Sequence, residues 1–118
     1  MATEMHTTPE GARLDRMFFA LADVNRRGML SLLSRGPASV SELAEPLQIA
    51  LPSAVKHLAV LEQGGFVASQ KSGRVRTYAV DPEAFHAMEV WLARHKTVLN
   101  TQFDRLDAYL AAQKGKTK

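Results

Sequence analysis

Residues 40–80 read VSELAEPLQIALPSAVKHLAVLEQGGFVASQKSGRVRTYAV, and this stretch decides the fold. Ser39-Val40-Ser41-Glu42 has the spacing of a capping box, in which the Ser accepts from the third helical N–H and the Glu reaches back. It predicts a short helix that buries Leu43 and Leu47. After a tight break, a second helix begins near Leu51 and stops at Gly64-Gly65. Ala54, Leu58 and Leu61 step by four and three along it and face inward. At 100° per residue, Pro52, Ser53, Lys56, Ala59 and Val60 then fall on the outward half. Phe66–Lys71 and Val75–Val80 have strand composition, and Ser72-Gly73-Arg74 between them reads as a hairpin tip.

A short helix, a break, an amphipathic helix and a basic hairpin, in that order, predict a winged helix-turn-helix. In that architecture the second helix enters the DNA major groove and the hairpin grips the flanking backbone. Charge placement agrees. From Leu51 to Tyr78 the cations Lys56, Lys71, Arg74 and Arg76 face one carboxylate, Glu62, so this segment carries +3, as much as the whole chain. The excess sits on the elements expected to meet phosphate.

Outward from this stretch, a first helix is predicted over Glu10–Ala22, with Leu14, Met17, Phe18 and Leu21 on one face. Asp23 is placed to cap a second helix through Arg35, which Gly36-Pro37 ends. Asp81-Pro82-Glu83 is a strong start for a last helix running to about Gln113, roughly 45 Å long. On it Phe85, Met88, Leu92, His95, Leu99, Phe103, Leu106 and Leu110 form one stripe, with Trp91, Val98 and Tyr109 beside it. So wide an apolar face on so long a helix calls for a second copy of the chain in a two-fold interface. Leu14 and Met17 of the first helix are expected to join it. The predicted fold is therefore mainly α, with five helices, a two-stranded wing and an α-helical dimer interface. Residues 1–9 are expected to form a disordered arm, 10–113 the folded domain, and 114–118 a basic tail.

Composition narrows the function classes. With 118 residues there is room for one core. The chain has no cysteine, which excludes disulfides, thiolate metal sites and thiol redox sensing. MATEMHTTPEG lacks the apolar segment of a secretory signal, so a cytoplasmic location is expected. Ser, His and Asp occur in no triad motif, and neither a phosphate-cradling Gly pattern nor HExxH is present. The sequence reads as a non-enzyme without cofactor.

LADVNRRGMLSLL (21–33) followed by SVSELAEPLQIALPSAVKHLAVLEQGGFVASQKSGRVRTYAVDPE (39–83) resembles the ArsR/SmtB family of winged-helix repressors. The resemblance covers about Phe18 to Trp91. Trp91-Leu92-Ala93-Arg94 and Phe103-Asp104-Arg105-Leu106 look like the branch without the known metal motifs. The resemblance implies a homodimer that occupies an operator and represses a nearby gene. Ala50 and Val55 depart from it, standing where members usually carry Ser, so a helix cap and a polar DNA contact are missing. Val55 could instead touch a thymine methyl. Pro46 inside the third helix predicts a kink or early end. Gly28 carries a penalty of about 1 kcal/mol in the second helix.

The expected DNA-contacting residues are Pro52, Ser53, Val55, Lys56, Val60, Lys71, Arg74 and Arg76. Lys56 is the best candidate for a guanine edge or a phosphate, and Arg74 at the wing tip for a phosphate. His57 turns partly inward by the helical count and is read as a structural side chain. His86 and Glu89 have a spacing that can place both on one metal. The surrounding residues depart from the Asp-x-His and His-x-x-Glu arrangement of the family's zinc sensors, so no metal site is assigned. A His/carboxylate metal-responsive repressor is the alternative, as is a winged-helix module for RNA or protein.

Overall fold

Why five helices form here is visible at their ends. In the computed structural model, which describes residues 8–116, the order is α1 (Pro9–Leu21), α2 (Val24–Leu33), β1 (Ala38–Ser39), α3 (Val40–Leu47), α4 (Leu51–Gln63), β2 (Val67–Ser72), β3 (Val75–Val80) and α5 (Pro82–Lys116). Thr8 caps α1 by accepting from the Gly11 N–H, with Pro9 in the first turn. Asp23 Oδ2 accepts from the N–H groups of Asn25 and Arg26 and starts α2. The capping box of α3 is complete, with Ser39 and Glu42 each bonded to the other's backbone N–H. Asp81 Oδ1 accepts from the Glu83 N–H at the start of α5.

Pro46 brings the early end: α3 stops one residue later, and Gln48 turns the chain at φ +55, the sole non-glycine at positive φ among the described residues. Such a conformation costs an L-residue roughly 1 kcal/mol. It is held by the Gln48 and Ile49 N–H groups, which satisfy the last carbonyls of α3.

The chain divides into two compact units, Met1–His86 and Ala87–Lys118. In the first, Met17, Met29, Leu43, Leu58, Leu61 and Phe66 are fully buried. The edge of the Phe66 ring meets Phe85, with centroids 4.8 Å apart. The sheet is antiparallel and three-stranded, in the order β1-β3-β2. Its third strand is an addition to the two expected: Ala38 and Ser39 pair with Tyr78 and Thr77. Gly64 and Gly65 do different work. Gly65 sits at φ +80, past the helix end. Gly64 lets α1 and α4 close on each other, since a Cβ there would lie 3.0 Å from Ala20 Cβ and 3.2 Å from the Arg16 carbonyl oxygen. Gly28 is less constrained, because a Cβ there would meet only the end of the Leu47 side chain, at 2.9 Å, which can turn aside.

Several expectations need correcting. Met17 is not available to a second copy: its side chain is wholly inside this chain's own core, beside the equally buried Ala20. Met88 is also buried. Leu14 is half-buried and Phe18 is exposed, so the inward face of α1 is centred on Met17 and Ala20. Pro9 is already helical, so the boundary expected after residue 9 falls inside α1; residues 1–7 of the expected arm lie outside the described residues. The last helix extends to Lys116 through Gly115, absorbing most of the expected tail, and residues 117 and 118 lie outside the described ones.

In the second unit α5 exposes Val90, Leu92, Val98, Leu99, Phe103, Leu106, Tyr109 and Leu110. His95 is exposed there too. Its Nδ1 donates to the Trp91 carbonyl at 2.8 Å, and its ring stacks on Trp91 with centroids 4.0 Å apart. Among the described residues no helix is long and apolar enough to cross a membrane.

Candidate nucleic-acid interface

Burial of Ala54, Leu58 and Leu61 sets the rotation of α4. Pro52, Ser53, Val55, Lys56 and Ala59 are left exposed, while Val60 is half-buried and less available than its place in the helical count implied. The N-cap, Ala50, makes no side-chain hydrogen bond. The first N–H groups of the helix are thus left to solvent or an anion, the arrangement that favours phosphate at a helix start. Three further residues, Leu51, Glu62 and Gln63, are exposed on the same helix. Carrying the 100° count one turn further would have found Gln63.

His57 holds α4 to the α1–α2 corner. Arg26 is buried, and its guanidinium donates to the carbonyls of Ala20 and Phe19 at 2.8 Å each and to His57 Nδ1 at 3.2 Å. A guanidinium can only donate, so Nδ1 accepts and the ring proton sits on Nε2. The approach of Asp23 Oδ2 to the same nitrogen, at 3.8 Å, is then not a hydrogen bond. Arg27 donates to the Leu21 carbonyl at 2.7 Å. The paired arginines therefore close the open C-terminal carbonyls of α1. Burial by itself would raise the Asp23 pKa. The Arg26 and Asn25 backbone N–H groups and nearby positive charge outweigh it and hold the carboxyl below its ordinary value.

The wing is a two-residue hairpin. Ser72 pairs with Val75, and Gly73 takes φ +62 at the first central position, the pattern of a type II′ turn. Arg74 is the second central residue and is exposed at the tip. The register places Lys71 directly opposite Arg76 and Ser69 opposite Tyr78, so these four share one face of the ribbon. Tyr78 is buried, which pushes its phenol pKa up; Glu62 adds to the rise and Arg76 opposes it. Further out, Arg76 Nη1 donates to Ser69 Oγ at 2.9 Å, and Ser69 Oγ donates to Glu62 Oε1 at 2.9 Å. This relay ties the wing to the last turn of α4. Reading it from sequence would have required the strand register.

Lys71 and Arg76 are like charges directly opposite each other, a pairing that destabilises a bare hairpin. Among the described residues, Lys56, Lys71 and Arg74 make no ion pair. An anion beside the wing would relieve that repulsion. The arrangement offers a reading helix and a cationic ribbon anchored to it. Among the described residues, no three His, Asp or Glu side chains come together as metal ligands.

Known proteins share this fold. A family profile described as a helix-turn-helix domain matches residues 21–70. The HTH-type transcriptional regulator Rv2034 of Mycobacterium tuberculosis is 36% identical over 92 residues, covering 78% of this chain and 86% of that protein. The crystal structure of the ArsR family transcriptional regulator RHA00566 is 49% identical with a TM-score of 0.71, covering 75% of this chain and 92% of that one. The homodimeric winged helix-turn-helix DNA-binding domain of a possible ArsR-family regulator from Mycobacterium bovis, solved by NMR, is 26% identical with a TM-score of 0.59. It covers 74% of this chain and 82% of that chain. On this similarity, which extends over 86% and 92% of the first two of these relatives, the chain belongs to the ArsR family of winged helix-turn-helix, DNA-binding transcriptional regulators.

Proposed function

We propose that the chain acts in the cytoplasm as a homodimeric repressor that occupies an inverted-repeat operator and excludes polymerase from it. Two copies pair through the exposed apolar face of α5, the dimerisation helix of residues 10–113, and each lays its α4 in a major groove. The half-sites then lie about one turn, roughly 34 Å, apart. Ser53 and Lys56 meet base edges or phosphate, and Arg74, Lys71 and Arg76 meet the flanking backbone. The observation that carries this reading is the unneutralised cationic ribbon linked through Ser69 to the end of α4. The solution homodimer of the Mycobacterium bovis relative supports the pairing.

The test is fluorescence anisotropy of the purified protein on duplexes from upstream of its own gene, against scrambled duplex and single-stranded RNA. Lys56→Ala is expected to narrow the gap between specific and scrambled DNA, whereas Arg74→Ala lowers affinity for both alike. Equal loss of specificity from the two changes contradicts that division, and preference for RNA overturns the function.

A further inference from the structure

The reading helix has few polar groups with which to read. On α4 the exposed residues are Leu51, Pro52, Ser53, Val55, Lys56, Ala59, Glu62 and Gln63, and Glu62 is engaged by Ser69. Leu51 and Val55 are one turn apart, and they are 53% and 51% exposed. With Ala59 and Pro52 they make a continuous apolar strip along one flank of the helix's exposed side, running from Leu51 at the edge of the core face outward to Ala59. Water gains nothing from such a strip, and the strip does not serve this chain's core, to which α4 contributes Ala54, Leu58 and Leu61. In the major groove the apolar feature that distinguishes one base from another is a methyl group on pyrimidine C5, carried by thymine.

We propose that Leu51 and Val55 are specificity-determining residues that read thymine C5-methyl groups, so each half-site carries thymines where these two side chains touch it. The proposal rests on the DNA-binding reading above and deepens it. Lys56, on the adjacent outward position, supplies the polar contact that fixes register. Ser53 lies on the opposite flank of the outward face, so methyl reading and hydroxyl reading fall on different base pairs.

The experiment starts from the duplex that the full-length protein selects out of a random pool. Each thymine is replaced in turn by deoxyuridine, which keeps base pairing and deletes the methyl alone. At one or two positions per half-site the wild-type protein is expected to lose about fourfold in affinity per methyl, and about fifteenfold when both half-sites are changed. Val55→Ser, an exposed change between residues of similar helix propensity, is expected to lose as much on the thymine duplex and nothing further on the deoxyuridine one. Leu51→Ser should do the same at a neighbouring position. Replacing a cytosine by 5-methylcytosine elsewhere in the site distinguishes thymine reading from a general response to methylation, and is expected to leave affinity unchanged. A selected duplex that tolerates every deoxyuridine overturns the methyl reading while leaving DNA binding in place. Failure to select any duplex overturns both.

Discussion

Leu99→Glu probes the pairing of two copies. Leu99 is 50% exposed on α5 in the single chain. Fully burying a Leu side chain contributes about 1.5–3 kcal/mol, so covering the exposed half contributes roughly 0.7–1.5. A two-fold interface counts the residue twice, giving roughly 1.5–3 kcal/mol lost with the two side chains. Each glutamate must also leave water or hold the interface open, at no less than the roughly 1–3 kcal/mol that a neutral polar group costs. The sum is about 3.5–9 kcal/mol, which weakens the dimer by about three hundredfold or more. Leu and Glu have similar helix propensity, so α5 itself should persist. Sedimentation velocity at low micromolar concentration is the assay, with circular dichroism to verify helix content. Monomers with retained helicity and poor operator affinity are expected. An undiminished dimer would refute the assignment of this face, and the exposed Leu92, Phe103 and Leu106 would need another occupant.

Three further outcomes test the scaffold under α4. Arg26→Ala removes two charge-assisted hydrogen bonds to the Phe19 and Ala20 carbonyls and the link to His57; a loss of about 3 kcal/mol in urea unfolding is expected, and a change below about 0.5 would show that water replaces them. Ala50→Ser supplies the cap that α4 lacks; a gain of about 1 kcal/mol, read as a rise of about 4 °C in Tm, is expected, and an unchanged Tm contradicts it. Acid unfolding should track Asp23 and Glu42. Hydrogen bonds from the Ser39 backbone and side chain hold Glu42 below its ordinary 4.5, and Asp23 sits below its ordinary 3.8. Groups with depressed native values stabilise the fold above their unfolded pKa and lose that contribution as pH falls through the native one. Tm should therefore hold steady down to about pH 5 and fall below about 4.5, less steeply in Asp23→Asn; an equally steep fall in that variant would assign the acid sensitivity elsewhere.

Most of the fold was legible because its punctuation is local. The Ser39–Glu42 capping box, the Asp23 cap, the Gly64-Gly65 stop and the Gly73 turn each act over a few residues and carry side-chain chemistry that names them. What stayed hidden depends on partners far away in sequence. Ala38-Ser39 becomes a strand through Tyr78 and Thr77, and two residues have no periodicity to read. The apolar face assigned to α1 straddles the true core direction, because small Ala20 is silent in a hydrophobic pattern yet marks where α4 approaches through Gly64. Arg26 was unreadable for the opposite reason. A charged side chain is normally exposed, and its burial follows from helix-end carbonyls that only the tertiary fold brings within reach. At the DNA-facing surface the helical count placed Pro52, Ser53, Lys56 and Ala59, while Leu51 was missed and the Arg76–Ser69–Glu62 relay needed the register of β2 on β3.

In the proposed complex a pair of α4 helices, each steadied by its wing, reads two grooves of one duplex. A hydroxyl-radical footprint on the selected duplex tests it most directly. Two protected tracts related by a dyad and about one helical turn apart are expected, fading together as salt rises, with log affinity falling against log salt at about −0.9 per phosphate contact. A single unsymmetrical tract, or protection indifferent to ionic strength, would contradict the account.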